Sequence, residues 1–359
     1  MSQVIAFPAG RLARPRPDEA LVLAIVNNRW PQDSVYWLKE CAEILSVMEE
    51  TGAKASPALQ AALAPVLDDL PRRLAFFPQY YRFFLAIALS AAALDLMPRA
   101  RAVRMAEWVL DQGWPQSELS DANRAEAGWL MQRAGLELPA DPAMNDRLRR
   151  FMERGATFAI PNRKAAYELT HLVFYLSDQG RQNPHLSKAA VASLRHAGTL
   201  AWLEQNADLL AEICLCLAHA GQNPPEIWLN FIVDAAKGFA FEAKHGMVAS
   251  DDLHCLLVCN WFLGRAGHPA FRDRLPDLGP GKTLTVRGER PAALPLRELS
   301  TCLLGLGDTR AADWDRMRDI VTGALTAPSR DIVLQAEAAD QGFEAFFAAF
   351  ARAGRVMAG

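Results

Sequence analysis

Acidic and imidazole side chains recur at equal distances before a series of glycines in this chain. Counting nine residues back from two of these glycines reaches His171 and Glu212, and counting thirteen back from a third reaches His254. Positions that differ by four lie on one face of a helix. Carboxylates and imidazoles that face one another can transfer protons or bind a metal ion. We therefore take His171, Glu212 and His254 as candidate reactive groups.

An acid–base interpretation assigns a role to each of these groups. His171 and Glu212 lie in segments that are otherwise apolar, and a buried carboxylate must be paired, hydrogen-bonded, metal-bound or neutral. His171 would act as a base, and Asp178, seven residues later on the same predicted face, would orient its ring. Glu212 and His254 would be the opposing acid and base.

A divalent metal ion is the second interpretation of the same residues. Glu168 and His171 form an E-x-x-H pair, a spacing that places two ligands on one helix face. Together with Glu212 and His254 they would supply the nitrogen and oxygen ligands that suit Zn, Fe or Mn. The alternative is a histidine that is hydrogen-bonded within the core, so the cofactor stays open at this point.

The remaining residues of the stripe are mostly aromatic. Tyr167 and Asp208 lie thirteen residues before their glycines, and Phe174 and Trp261 lie six before theirs. Polar groups among aromatic walls are typical of a small-molecule pocket, so we predict that these four residues bind substrate. The alternative is structural, because a repeated acid can bond the backbone of a neighbouring repeat or face solvent.

The glycines themselves indicate how these residues are positioned. Each follows a helical segment, where glycine adopts the left-handed cap without a Cβ penalty. Successive glycines are about 44 residues apart, which is the length of two helices and two turns. The series comprises Gly135, Gly180, Gly221, Gly267, Gly307 and Gly354.

Helical periodicity covers nearly the whole chain and predicts an all-α fold of stacked helical hairpins. A closed α/α toroid is preferred to an open α-solenoid, because a polar inner face combined with apolar outer packing suits a ring. We expect a loose basic arm at 1–18 and one repeat domain at 19–359. A Pro- and Gly-rich insertion at 268–295 interrupts the repeat. We expect it to be a lid, a binding loop or a plain surface loop. Within it, 283–287 is the best candidate strand.

Composition excludes several classes of partner. The net charge is −3, so no basic field attracts nucleic acid or an anionic membrane. The longest apolar run, 83–97, is too short to cross a bilayer. No secretory leader is evident and the six cysteines suit buried helix positions, so we expect reduced thiols and a cytoplasmic protein.

One helix resembles a known group of sequences. Its residues Thr170, His171, Phe174, Tyr175, Asp178 and Gly180 match the pattern T-H-x-x-F-Y-x-x-D-x-G. This pattern is similar to a helix in uncharacterised bacterial all-helical proteins. The resemblance covers about eleven residues and carries no activity. It implies only that His171 and Asp178 belong together.

The sequence therefore leaves two functions open. The preferred one is an enzyme or binder for a small molecule or peptide, with its site at the centre of a toroid and with or without a metal ion. The other is a non-catalytic scaffold whose concave surface binds a protein partner.

Overall fold

A computed structural model of the chain describes residues 15–139, 141–246 and 250–353. These residues are mostly helical, as the periodicity predicts. The helices, numbered in chain order, are α1 Pro17–Asn28, α2 Val35–Glu50, α3 Pro57–Phe76, α4 Tyr81–Ala93, α5 Arg99–Asp111, α6 Asp121–Ala134, α7 Pro142–Met152, α8 Gly155–Phe158, α9 Arg163–Leu176, α10 Lys188–Leu203, α11 Ala207–His219, α12 Glu226–Lys237, α13 Leu253–Arg265, α14 Pro295–Gly305, α15 Trp314–Ala324, α16 Ala327–Ala339 and α17 Phe343–Ala351.

Two strands form a short antiparallel ribbon. β1 spans Ala240–His245 and β2 spans Lys282–Arg287, with Ala240 opposite Arg287. The predicted strand at 283–287 is therefore present. Helical periodicity in the sequence continues over 224–243, but α12 stops at Lys237 and the chain continues into β1. The partner of β1 lies far along the chain, so helical periodicity alone did not reveal it.

Two expected segment boundaries change. The basic arm expected at 1–18 overlaps the first helix, since Pro17 is the first residue of α1, and residues 1–14 lie outside the described part. The insertion at 268–295 is not a bare loop, because it contains β2. Its start is fixed by the amide of Phe271, which donates to Oδ1 of Asn260 on α13 at 2.6 Å.

Left-handed residues end many of the helices. Gly135, Gly180, Gly221, Gly267 and Gly307 all have positive φ, between 50° and 86°, as their positions after helices predict. Gly354 lies outside the described residues. Other residues after helices follow the same rule, among them Gly113 after α5 and Gln205 after α10. Gly52 ends α2 with φ 70° and Asp95 ends α4 with φ 57°.

Six of the helices contact one another in cyclic order. α2 contacts α4, and the contacts continue through α6, α9, α11 and α13, which in turn contacts α2. We call these six the cycle helices. α1, α3, α5, α7, α10 and α12 alternate with them along the chain, and each packs against one or two of them. α14, α16 and α17 pack instead on outer helices, among them α10.

The apolar core is divided into two clusters. One consists of side chains from α1 to α6 with the first turn of α13 and β2, and the other of side chains from α7 onward together with Val47 of α2. Among the residues described, no helix combines the length and the apolar character that crossing a membrane requires.

Arg29 joins the beginning of the cycle to its end. Its side chain is 1% exposed and makes paired hydrogen bonds of 2.7–3.0 Å with the carboxylates of Glu40 on α2 and Asp251 before α13. It also donates to the carbonyl of Leu284 in β2 at 2.9 Å. A guanidinium suits this place because its planar donors match two carboxylates at once. We call these contacts the Arg29 clasp.

We expect Arg29→Met to lower the free energy of unfolding by about 3–5 kcal/mol, because two carboxylates would stay buried without their cation. Urea unfolding followed by far-UV circular dichroism measures the change. Arg72→Met is the matched control, since Arg72 is 79% exposed and pairs with Asp69 at the surface. Equal losses in the two variants would show that the clasp does not stabilise the fold.

Candidate functional site

Three cycle helices bring ionisable side chains to one place. Glu43 lies in the middle of α2, Asp208 and Glu212 lie one turn apart at the start of α11, and His254 is in the first turn of α13. Asn206 caps α11 by accepting a hydrogen bond from the Leu209 amide, which fixes where the helix begins. Asp208 and Glu212 therefore face α13 together.

His254 is the centre of this group. Its Nδ1 lies 2.8 and 2.9 Å from the two carboxylate oxygens of Asp208. Its Nε2 lies 3.7 Å from Oε1 of Glu212 and 3.9 Å from Oε1 of Glu43. Since a carboxylate only accepts, Nδ1 carries a proton and the ring orientation is fixed. The other nitrogen is thereby directed between Glu43 and Glu212.

Glu212 is only 2% exposed, and its second oxygen is held by a hydroxyl. Oε2 lies 2.5 Å from Oγ1 of Thr170, which also lies 2.9 Å from the carbonyl oxygen of Tyr167. A hydroxyl has one proton to donate. When Thr170 donates it to the carbonyl, the bond to Glu212 requires a proton on the carboxyl group. The geometry thus accommodates either protonation state of Glu212.

Burial and charge raise the pKa values of Glu43, Glu212 and His254. Burial raises the pKa of Glu212, against the opposing effect of the His254 charge. Burial likewise raises the pKa of Glu43. For His254, burial alone would lower the pKa, but the hydrogen bond and charge of Asp208 outweigh it and raise the value. Closely spaced groups whose pKa values are shifted by burial and by one another's charge are typical of functional sites.

His171 is a neighbour of the cluster rather than a member. Its side chain reaches solvent, and yet the surrounding protein lowers its pKa to about 4, with the charge of His254 as the second cause. Its ring packs near Tyr175, with 6.2 Å between centroids.

The expected pair of His171 and Asp178 is not formed. Helix α9 ends at Leu176, and Asp178 has a left-handed φ of 45°, so it no longer shares a helix face with His171. Asp178 instead accepts a hydrogen bond from Nε1 of Trp129 at 2.7 Å. Its assignment as the group that orients His171 is therefore wrong.

Glu168 also lies away from the cluster. Its side chain is 40% exposed and pairs with Lys164 at 3.9 Å. The neighbouring Tyr167 and Thr170 face the cluster, and a residue next to Tyr167 points about 100° away around the helix. The E-x-x-H metal pair predicted from Glu168 and His171 is not assembled.

The aromatic residues divide into two groups. Tyr167 packs edge-on to His254, with 6.4 Å between ring centroids, and so borders the cluster. Phe174 and Trp261 are almost fully buried and pack against each other at 4.8 Å and against His219. They support the site from within the core rather than lining it.

Glu43 is the main residue that the sequence reasoning missed. It lies nine residues before Gly52, the same offset that selects His171 and Glu212, so starting the glycine series at Gly52 would have found it. Thr170 had no such signal, because hydroxyl groups within helices are common and usually bond their own backbone.

A second polar network lies at the other end of the cycle helices. Arg133 near the end of α6 pairs with Glu49 at 2.6 Å, and Arg181 pairs with Glu49 and Glu50 at 2.5 Å. The carboxyl ends of α2 and α6 therefore meet here, as the first turns of α11 and α13 meet at Asp208 and His254. The cycle helices run in the same direction, with the cluster and this network at opposite ends.

Comparison with known proteins supplies a family and no activity. A family described as a domain of unknown function, DUF6902, matches residues 1–353. No curated protein and no solved structure matches the chain. The chemistry has to be inferred from the site itself.

His219 provides a pH test of the aromatic support. Burial lowers its pKa to about 4 from the usual 6.5, with the Arg265 charge adding to the effect. As pH falls below 6.5, His219 takes up a proton in the unfolded chain but stays neutral in the folded chain. The contribution of the buried, neutral ring to the free energy of unfolding is therefore fully present above pH 6.5 and is lost as the pH falls towards 4. We expect the loss to reach at most about 3 kcal/mol.

The measurement is urea unfolding at several pH values for the wild type and His219→Gln. The wild type should lose stability more steeply between pH 6.5 and 4 than the variant does. His268→Gln is the control, because that side chain is exposed at the surface. Parallel curves for the wild type and His219→Gln would contradict the burial argument.

Proposed function

Because the chain belongs to the DUF6902 family, a domain of unknown function, we propose its function from the site: an enzyme that acts on a small polar molecule at the centre of a closed α/α toroid. Two observations support the toroid over an open solenoid. The six cycle helices close on themselves, since α13 contacts α2. Each of the six is also followed by a left-handed residue at an interval of about 43 residues.

The convergence of Glu43, Glu212 and His254 from three cycle helices is the observation that carries the proposal. Glu43 and His254 are separated by more than half of the chain and still face each other at 3.9 Å. A buried carboxylate beside another acid costs stability. A purely structural role would be served as well by apolar side chains, so a polar task at this point explains the arrangement better.

The same argument makes a scaffold the weaker alternative. A surface that docks a protein usually presents a contiguous apolar patch. In the described ranges, the exposed large apolar side chains belong to separate elements, for example Phe76 on α3, Leu119 before α6 and Leu304 on α14. A cytoplasmic location is part of the proposal, supported by the six free cysteines.

Ligand-detected NMR with a panel of amino acids, hydroxy acids, sugars and sugar phosphates tests the proposal. At least one compound should bind the wild type and disappear over time as a product forms. His171→Gln should weaken that binding about tenfold, which is the loss of roughly one hydrogen bond at the concave surface.

His268→Gln is the matched control, since it makes the same change on an exposed outer position. It should bind and turn over the compound as the wild type does. Absence of any bound compound, or equal weakening by both variants, would contradict a small-molecule site at the centre of the toroid.

A further inference from the structure

The contacts around Nε2 of His254 have an unusual length. Distances of 3.7 Å to Glu212 and 3.9 Å to Glu43 exceed those of a direct hydrogen bond, which lie near 2.7–3.2 Å. These distances suit pairs of ligand atoms that both bind one further atom lying between them. Two ligand atoms bound to one transition-metal ion at about 2.1 Å each lie up to about 4 Å apart.

The buried carboxyl group of Glu212 shows where that third atom would lie. Its Oε2 is held by Thr170, but no hydrogen bond from the described residues reaches Oε1, which faces Nε2. The side chain is 2% exposed, so this oxygen is directed towards the cluster and not towards bulk water. Oε1 of Glu212, a potential metal ligand on a nearly buried side chain, therefore accepts no hydrogen bond from the described residues.

Asp208 completes the arrangement from the opposite side of the ring. Its carboxylate holds Nδ1–H at 2.8 Å, so in the neutral ring the lone pair is on Nε2, and a metal ion bound there takes the place of the second ring proton. In metal sites a histidine ligand is commonly held in this way by a carboxylate behind it, which fixes the ring and makes the nitrogen a better donor. The closest donor atoms of Asp208, Glu212 and His254 lie within 4.8 Å of one another.

We propose that Nε2 of His254 and the carboxylates of Glu212 and Glu43 bind one divalent transition-metal ion, such as Zn²⁺, Mn²⁺ or Fe²⁺, with Asp208 as the residue that positions the imidazole. One nitrogen and two oxygens are a donor set that these ions accept. The ion balances two carboxylates that the fold otherwise keeps together at a cost. This site replaces the set predicted from Glu168 and His171.

Three protein ligands leave coordination positions for water or substrate, which is the pattern of catalytic sites rather than structural ones. This catalytic meaning rests on the proposed function. Metal binding itself does not, because it is measured without any organic ligand.

Isothermal titration of the full chain, freed of metal with a chelator, tests the site with Zn²⁺ and separately with Mn²⁺. We expect about one ion per chain for the wild type. Glu212→Gln and His254→Gln should abolish that binding. Asp208→Asn should retain the ion with affinity lowered about 10–100-fold, as expected for a group behind a ligand.

Glu168→Gln is the matched control, because it removes a carboxylate of the same helix-borne type outside the cluster. It should titrate as the wild type does. Thermal melting checks that each variant is folded. If Glu212→Gln does not fold, Glu43→Gln tests the same ion from a side chain that is 26% exposed.

Wild-type-like titration of folded Glu212→Gln and His254→Gln, or no binding by the wild type, would overturn the metal site. The NMR test of the proposed function, repeated in chelator, separates the two proposals. Binding of a small molecule without metal would leave the central site in place while this inference fails.

Discussion

The closure of the chain between α2 and α13 is the constraint on which the site depends. The Arg29 clasp bonds Glu40 and Asp251, and these residues lie three positions before Glu43 and His254. One guanidinium therefore sets the relative position of the two segments that carry two of the central side chains. Helices α2 and α13 also contact each other directly, so this packing and the clasp together hold Glu43 beside His254.

Glu212 is the residue at which assembling the cluster costs the most folding free energy, because its carboxyl group is buried. Its side chain is 2% exposed, and within the described part of the chain Thr170 and His254 offer the carboxyl group its polar contacts. Neighbouring cycle helices supply both groups, α9 the hydroxyl and α13 the imidazole. Glu212 thus depends on three helices at once, which ties the protonation of one side chain to the packing of the whole centre.

The fold was largely predictable because its signals are local. Helical periodicity and glycine after a helix end are properties of neighbouring residues, and they located most helices and five left-handed glycines. Asp95 ends α4 in the same left-handed way, but aspartate has many other uses and gave no signal. β1 was missed because its strand character depends on pairing with β2, far along the chain.

The site was predictable in its residue types and less so in its pairings. Glu212, His254 and Asp208 were selected by their offsets, and the structure brings them together. Asp178 and Glu168 were selected by spacing on an ideal helix, which fails where the helix ends early or where one residue of rotation changes the face. Packing between helices decides which acidic side chain faces which histidine. No pattern of neighbouring residues in the sequence predicts this pairing.

The contact between α2 and α13 also dictates when the cluster can assemble during synthesis. Arg29 and Asp251 are separated by 222 residues, so a ribosome releases the first half of the cluster long before the second. Glu43 leaves the ribosome early and remains without its partners until α13 and then β2 have emerged. Contacts of such high sequence separation form late in folding. The nascent chain therefore lacks the complete cluster over most of its translation, and Glu43 meets His254 only after α13 has been synthesised.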